Sequence, residues 1–305
     1  MSKFSFSIRT VLLAIISLLT LLIATQSGFQ VYRAWERQSD AASLQQVSEV
    51  MDLLFSTEKF LSLERGTAIA AIYLPYKSSH SLRNDLTTYQ KQTDETLLNA
   101  LSLLQKTPPQ TNLKPSLDQI QKDYAALQKI REKLNAQTKM TPKARSALSN
   151  QFFKASTALI TSIHALTEAY SQPYLAVNPV IARQIRFSNI IWGITEYAGR
   201  EYARLGQLIA ENARPTSAQL EELSMWRGRV QYGWELAHNT MLSSNNWSKE
   251  IRPAMEEAET HYFTTFDQIK DMFYQAPKMG GRPSYPITIE MWLELAAQAV
   301  DSLHS

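Results

Sequence analysis

Residues 47–72 read VSEVMDLLFSTEKFLSLERGTAIAAI. Within them Val47, Met51, Leu54, Leu61, Ala68 and Ile72 recur at steps of three, four or seven, the spacing that lines one face of a 3.6-residue helix. The pattern predicts a long amphipathic helix from about Arg33 to Leu74, closed by Pro75 and Ser78-Ser79. One residue interrupts the seam: Arg65 falls on the apolar stripe, where a charge needs a partner or costs several kcal/mol.

Working outward, the same periodicity marks further helices. Leu82, Leu86, Tyr89, Leu97, Leu101 and Leu104 carry the second, from about Ser81 to Lys106, before Pro108-Pro109. Leu117, Ile120, Tyr124, Leu127 and Leu134 carry a third. Pro142, suited to a first helical turn, opens a fourth through Leu159, Ile163, Leu166 and Tyr170. Pro173 and Pro179 bracket a sharp change of direction. Four more helices are expected at about Pro179–Asn212, Ser217–Met241, Ile251–Ala276 and Ile289–Leu303. Nine glycines in 305 residues and few alternating Val-rich runs leave little signal for strands or a nucleotide-binding loop. The expected fold class is all-α: an N-terminal transmembrane helix, then an extended helical bundle made of two four-helix sets.

Composition narrows the function. With 44% apolar and 19% charged residues the chain can bury a core. The 31 Lys+Arg nearly cancel the 28 Asp+Glu, and no dense basic run is present to track phosphates, so nucleic acid is not an expected partner. The absence of cysteine excludes disulfides, thiolate metal sites and a Cys nucleophile.

At the N-terminus Lys3 and Arg9 precede an apolar run from Val11 to Ala24, and no charge occurs between Thr10 and Tyr32. That length reaches the ~20 residues of a membrane span. The apolar core of about 14 residues also fits the h-region of a cleaved signal peptide, but no convincing small-x-small site lies around Ala24 to Gly28. The favoured expectation is a cytoplasmic tail over 1–9 and an uncleaved anchor over 10–32, followed by helical bundles over 33–172 and 173–305. The basic tail stays inside, which places the bulk of the chain in the periplasm, outside the cytoplasmic membrane.

No Gly-x-Ser-x-Gly, His-Glu-x-x-His or Gly-rich phosphate loop occurs, so no catalytic centre and no enzymatic activity are expected. Glu235-x-x-His238 resembles half of a di-iron motif. Its partners are missing, since His80, His164 and His261 follow Lys77, Thr161 and Ala258 by three positions. No metal or other cofactor is expected. Trp192, Trp226, Trp234, Trp247 and Trp292 suit the core of the second bundle, or the wall of a pocket for a planar ligand.

Arginines are the more informative residues. Arg65 lies on one seam; Arg227 lies on another with Leu220, Leu223, Val230 and Trp234; Arg200 and Arg204 share a third helix. A planar guanidinium fork between helices suits a planar oxyanion or carboxylate. Internal ion pairing with Glu64 and Glu201 would explain the same pattern without a ligand.

Leu63-Glu64-Arg65-Gly66, Tyr73-Leu74 and Tyr89-Gln90-x-x-Thr93-Asp94 resemble the nitrate- and nitrite-sensing (NIT) domains of bacterial chemoreceptor-like proteins. Glu196-Tyr197-Ala198-Gly199-Arg200-Glu201 with Arg204-Leu205-Gly206 is similar to a second motif of that family, and Arg227-Gly228-Arg229-Val230 with Trp234 to the next. Tyr285-Pro286-Ile287-Thr288 and Trp292 resemble the segment that returns to the membrane. The resemblance covers about residues 45–303. It implies a sensor that binds a small anion through arginines, Arg65 and Arg200 by the family pattern, and passes a helix displacement to a cytoplasmic signalling partner. Arg227 joins them from its seam position, and Arg204 as a further candidate. Tyr202 stands where the second motif often carries another arginine. A homodimer paired along the first helix is expected. Family members continue into a methyl-accepting, kinase or cyclase module, so the chain reads either as part of a receptor or as a standalone sensor. The alternative function is a non-enzymatic scaffold of the cell envelope.

Overall fold

The computed structural model describes residues 8–74, 80–106, 112–136, 140–175, 179–242, 249, 251–275, 285 and 287–303. Side chains at 8–24, 28, 31–44, 80, 180–181 and 272–273 lie outside that description. Among the described residues every regular element is helical: α1 (Ile8–Tyr73), α2 (His80–Lys106), α3 (Lys114–Ala136), α4 (Pro142–Leu175), α5 (Pro179–Glu211), α6 (Ser217–Leu242), α7 (Ile251–Ala258), a π-helical segment (Glu259–Phe266), α8 (Asp267–Gln275) and α9 (Ile289–Ser302). The chain divides into two compact units, residues 1–50 and 51–305. The expected anchor over 10–32 falls almost entirely on residues whose side chains are not described. Among the described residues no helix is long and apolar enough to cross a membrane.

Helix ends follow their local chemistry. The Thr141 hydroxyl accepts from Ala144 N at 3.2 Å, with Pro142 in the first turn of α4. Thr216 and Gln219 form a capping box, Gln219 N donating to Thr216 Oγ1 and Thr216 N to Gln219 Oε1. Helix α5 stops at Asn212, whose φ of 48° lies in the left-handed region. Ala213 N bonds back to Leu208 O and Asn212 N to Ile209 O, both at 3.0 Å, which completes a Schellman motif. The Tyr285 hydroxyl donates to Ala213 O at 2.6 Å and ties the lead into α9 to that end of α5.

Three sequence expectations change. The stretch 61–72 of α1 is not amphipathic in its setting: every residue from Leu61 to Ile72 is buried, Glu64 and Arg65 completely. A helix enclosed all round needs small side chains where neighbours approach, and Ser62, Gly66, Thr67, Ala68, Ala70 and Ala71 supply them. The helix expected over 251–276 is interrupted by eight residues of π-helix. That wider winding accompanies an aromatic cluster, with Tyr262 and Phe266 buried, Phe263 stacked 4.4 Å from Trp234, and Phe266 5.0 Å from Trp292. Helix α4 also runs through Pro173 to Leu175, with the proline in its last turn. Helices α3 and α4 pack side by side, as do α5 and α6, while α9 packs on α5 and on the π-helical segment.

Candidate functional site

Arg65 is wholly buried on α1, and its fork is filled from two other helices. Its Nη1 donates to Glu196 Oε1 at 3.1 Å and Nη2 to Glu196 Oε2 at 3.0 Å, while Nη1 also reaches Thr157 Oγ1 on α4 at 2.9 Å. Glu196 on α5 accepts a third charged hydrogen bond, from Arg200 Nε at 2.6 Å. Two guanidiniums thus converge on one carboxylate, which leaves one unit of positive charge in excess. The Arg65 and Arg204 guanidiniums lie 5.4 and 5.1 Å from the centroid of the Phe153 ring. Each keeps a buried Nε without a hydrogen-bond partner among the described residues. Arg204 otherwise bonds Gln207 at 2.8 Å and Glu222 at 3.4 Å.

The close approach of α1 and α5 depends on two glycines facing each other's helix. A Cβ on Gly66 would overlap the Tyr202 ring, and a Cβ on Gly199 would overlap Ser62 Oγ. Tyr202, the departure from the family pattern, is a buried ring over Gly66 and near Trp292; burial pushes its hydroxyl pKa up.

Neither carboxylate suspected from sequence is the partner of Arg65. Glu64 turns to α3, where Arg131 donates from Nε at 2.7 Å and Nη2 at 2.5 Å, and Arg131 also holds Asp94 of α2 at 2.6 Å. Thr93 donates to Glu64 at 3.4 Å, so the Thr93-Asp94 pair is organised around that ion pair. Glu201 turns to α8: Lys270 Nζ donates to it at 2.9 Å and the Tyr274 hydroxyl at 2.7 Å. Arg227 belongs to this second network. It donates to Asp271 at 2.6 Å and Asp267 at 2.7 Å, and Asp267 also pairs with Lys270 at 2.8 Å. The structure therefore brings Arg65 and Arg200 together on Glu196, sets Arg204 by the same Phe153 ring as Arg65, and pairs Arg227 with carboxylates of α8.

Sequence reasoning missed Arg131, Lys270 and Glu58, although the seam argument reaches each. Arg131 is in step with Leu127 and Leu134, Lys270 with Tyr262 and Phe266, and Glu58 with Leu54, Leu61 and Arg65. Glu58 is buried, and neither carboxyl oxygen has a hydrogen-bond partner among the described residues. Burial, reinforced by the charge of Glu196, holds its pKa well above the usual carboxylate range, with the nearby Trp192 indole acting in the opposite sense. Glu58 and Glu196 share the wall of a void of about 10 Å³, room for one water-sized molecule.

Glu235 is exposed and His238 stands edge-on to Trp234. Among the described residues no three His, Cys, Asp or Glu side chains are grouped closely enough to hold a metal. Trp226 and Trp292 are core residues, the latter donating to Tyr202 O at 3.2 Å. Trp192 and Trp234 instead line a cavity, and Trp247 lies outside the described residues.

Comparison with known proteins gives one match: a family model described as nitrate and nitrite sensing fits residues 60–305. No curated protein and no solved structure matches.

Proposed function

The chain belongs to the nitrate and nitrite sensing family, and from that premise we propose that it binds a small planar oxyanion by exchanging it for the Glu196 carboxylate on Arg65 and Arg200. The observation that carries the reading is the convergence of two guanidiniums, one from α1 and one from α5, on a single planar carboxylate. Nitrate presents the same two coplanar oxygens to an arginine fork as a carboxylate does. Glu196 then acts as an internal stand-in for the ligand, and its release frees α5 from the bond that ties it to α1. Arg204, whose guanidinium also lies by the Phe153 ring, adds positive potential to the same region.

In this reading the chain has no enzymatic role. It is the extracytoplasmic part of a signalling receptor, held in the cytoplasmic membrane by residues 10–32, with both four-helix sets in the periplasm. It works as a homodimer and drives a chemoreceptor-like cytoplasmic partner. The basic residues Lys3 and Arg9 ahead of an uncharged stretch support that placement. Anion binding has a differential effect on helix packing only if it breaks an existing contact, and the Glu196 pair is such a contact.

Calorimetric titration of nitrate and nitrite into the full chain tests the exchange. Glu196→Gln removes the internal competitor and is expected to tighten binding, while Arg200→Ala weakens it. The second reading, an envelope scaffold, is favoured by the pairing of buried Arg65, Arg131 and Lys270 with buried carboxylates. It replaces the first if neither the wild type nor Glu196→Gln binds either anion.

A further inference from the structure

A cavity of about 500 Å³ lies in the unit formed by residues 51–305, walled by α1, α5, α6, α7 and α9. Its aromatic wall is Phe55, Phe187, Trp192 and Trp234, and its acidic groups are Asp52 and Glu58. Among the described residues the one cation on the wall, Lys59, is already paired with Asp301. Charge in the cavity is therefore of one sign, opposite to that beside Arg65.

Glu58 makes this more than an apolar hollow. A carboxyl group that is 5% exposed, with neither oxygen hydrogen-bonded among the described residues and only the Trp192 indole acting to favour its charge, is costly to keep beside a cavity. A ligand that donates hydrogen bonds to it would relieve that cost. Aromatic faces attract cations as well, and they exclude water from the pair.

We propose that this cavity binds a small organic ammonium ion, its N–H groups on the Glu58 carboxylate and its apolar body among Phe55, Phe187, Trp192 and Trp234. The volume falls within the range of small-molecule sites, roughly 300–1,000 Å³. Asp52 and Lys59 of α1 line the same cavity as Glu58, Glu196 of α5 shares the small void beside it, and His164 of α4 is stacked 3.5 Å from Trp192. The walls from α6, α7 and α9 bring Trp234, Met255 and Ser302, none of them charged. The ammonium ion favours the ionised form of Glu58, against the burial that holds its pKa up.

The inference goes beyond anion sensing, and its test needs no nitrate, so the two readings fail separately. Phenethylammonium, its neutral isostere 2-phenylethanol and the anion 3-phenylpropanoate are titrated calorimetrically into the full chain at pH 7. Phenethylammonium is expected to bind roughly tenfold more tightly than the alcohol, and the anion to bind least. Glu58→Gln is expected to abolish the preference for the cation, and Ala254→Leu, which narrows the cavity without touching charge, to weaken both ligands. Equal binding of cation and alcohol, preference for the anion, or no binding by any of the three overturns the proposal. The wild-type comparison decides the matter even if a variant fails to fold.

Discussion

Gly199 on α5 makes room for the guanidinium of Arg65 on α1: a Cβ at position 199 would lie 2.9 Å from Arg65 Nη2 and overlap Ser62 Oγ. Ordinarily Gly→Ala inside a helix stabilises it by up to about 1 kcal/mol. Here overpacking opposes that gain, and Gly199→Ala is expected to destabilise the fold by about 1–3 kcal/mol and to change anion affinity as Arg65 shifts. Gly193, on the same helix, has nothing within 4 Å of an added Cβ. Gly193→Ala is therefore expected to stabilise, and urea denaturation of the two variants should move in opposite directions.

The Glu64–Arg131 pair is buried at both ends, with side chains 0% and 4% exposed. Breaking such a pair leaves an uncompensated charge, so Arg131→Met is expected to cost about 3–5 kcal/mol. Adding Glu64→Leu to it should recover much of the loss, because two apolar residues can replace a buried ion pair. A double-mutant cycle read by urea midpoint checks this, and strict additivity would show that the two residues do not act as a pair.

How much of this was readable beforehand differs between backbone and side chains. Periodicity and proline positions located the helices well, because a helix's buried face repeats in its own sequence. They could not show that α1 is enclosed over 61–72, since Glu64 lies off the apolar stripe and looks like a surface residue until its partner from α3 arrives. The pairing of Arg65 with Glu196 spans 131 positions and leaves no local trace. The π-helical winding at Glu259–Phe266 was equally hidden, because it accompanies packing against Trp234 and Trp292 rather than any break in propensity. Seam position did mark Arg65 and, applied more widely, would have marked Glu58, Arg131 and Lys270.

Two buried titrating groups near Trp192 give stability opposite dependences on pH. Burial pushes the His164 pKa from 6.5 down to about 4. The unfolded chain then binds a proton across that interval and the folded chain does not, so stability falls as pH falls from 6.5 to 4, by at most about 3 kcal/mol. At neutral pH His164 is uncharged, and its 3.8 Å approach to Glu168 is not an ion pair. Glu58 behaves inversely. Its folded value is raised, so its contribution is complete below about 4.5 and is lost as pH rises through that folded value. Relative to wild type, His164→Phe should therefore gain stability towards pH 4, and Glu58→Gln should gain it towards neutral pH. Thermal melts from pH 4 to 8 check both, and curves parallel to wild type would sink the assignment.

Arg227 and Arg65 were equivalent candidates by seam position, yet their surroundings predict different consequences. Arg227 spans Asp267 and Asp271 with a side chain 21% exposed, whereas Arg65 is sealed. Solvent can take over from Arg227, so Arg227→Ala is expected to cost only about 1 kcal/mol and to leave nitrate affinity unchanged. Lys270, one bond deeper in the same network, is 1% exposed and holds both Glu201 and Asp267. Burial works to lower its pKa, but the charges of Glu201 and Asp267 raise it, so the ammonium stays charged. Lys270→Met strands the buried Glu201 and is expected to cost about 3–5 kcal/mol. Denaturation measures the stability difference and nitrate titration the functional one. If Arg227→Ala abolished nitrate binding while Arg200→Ala did not, the anion would sit on α6 and α8 rather than between α1 and α5.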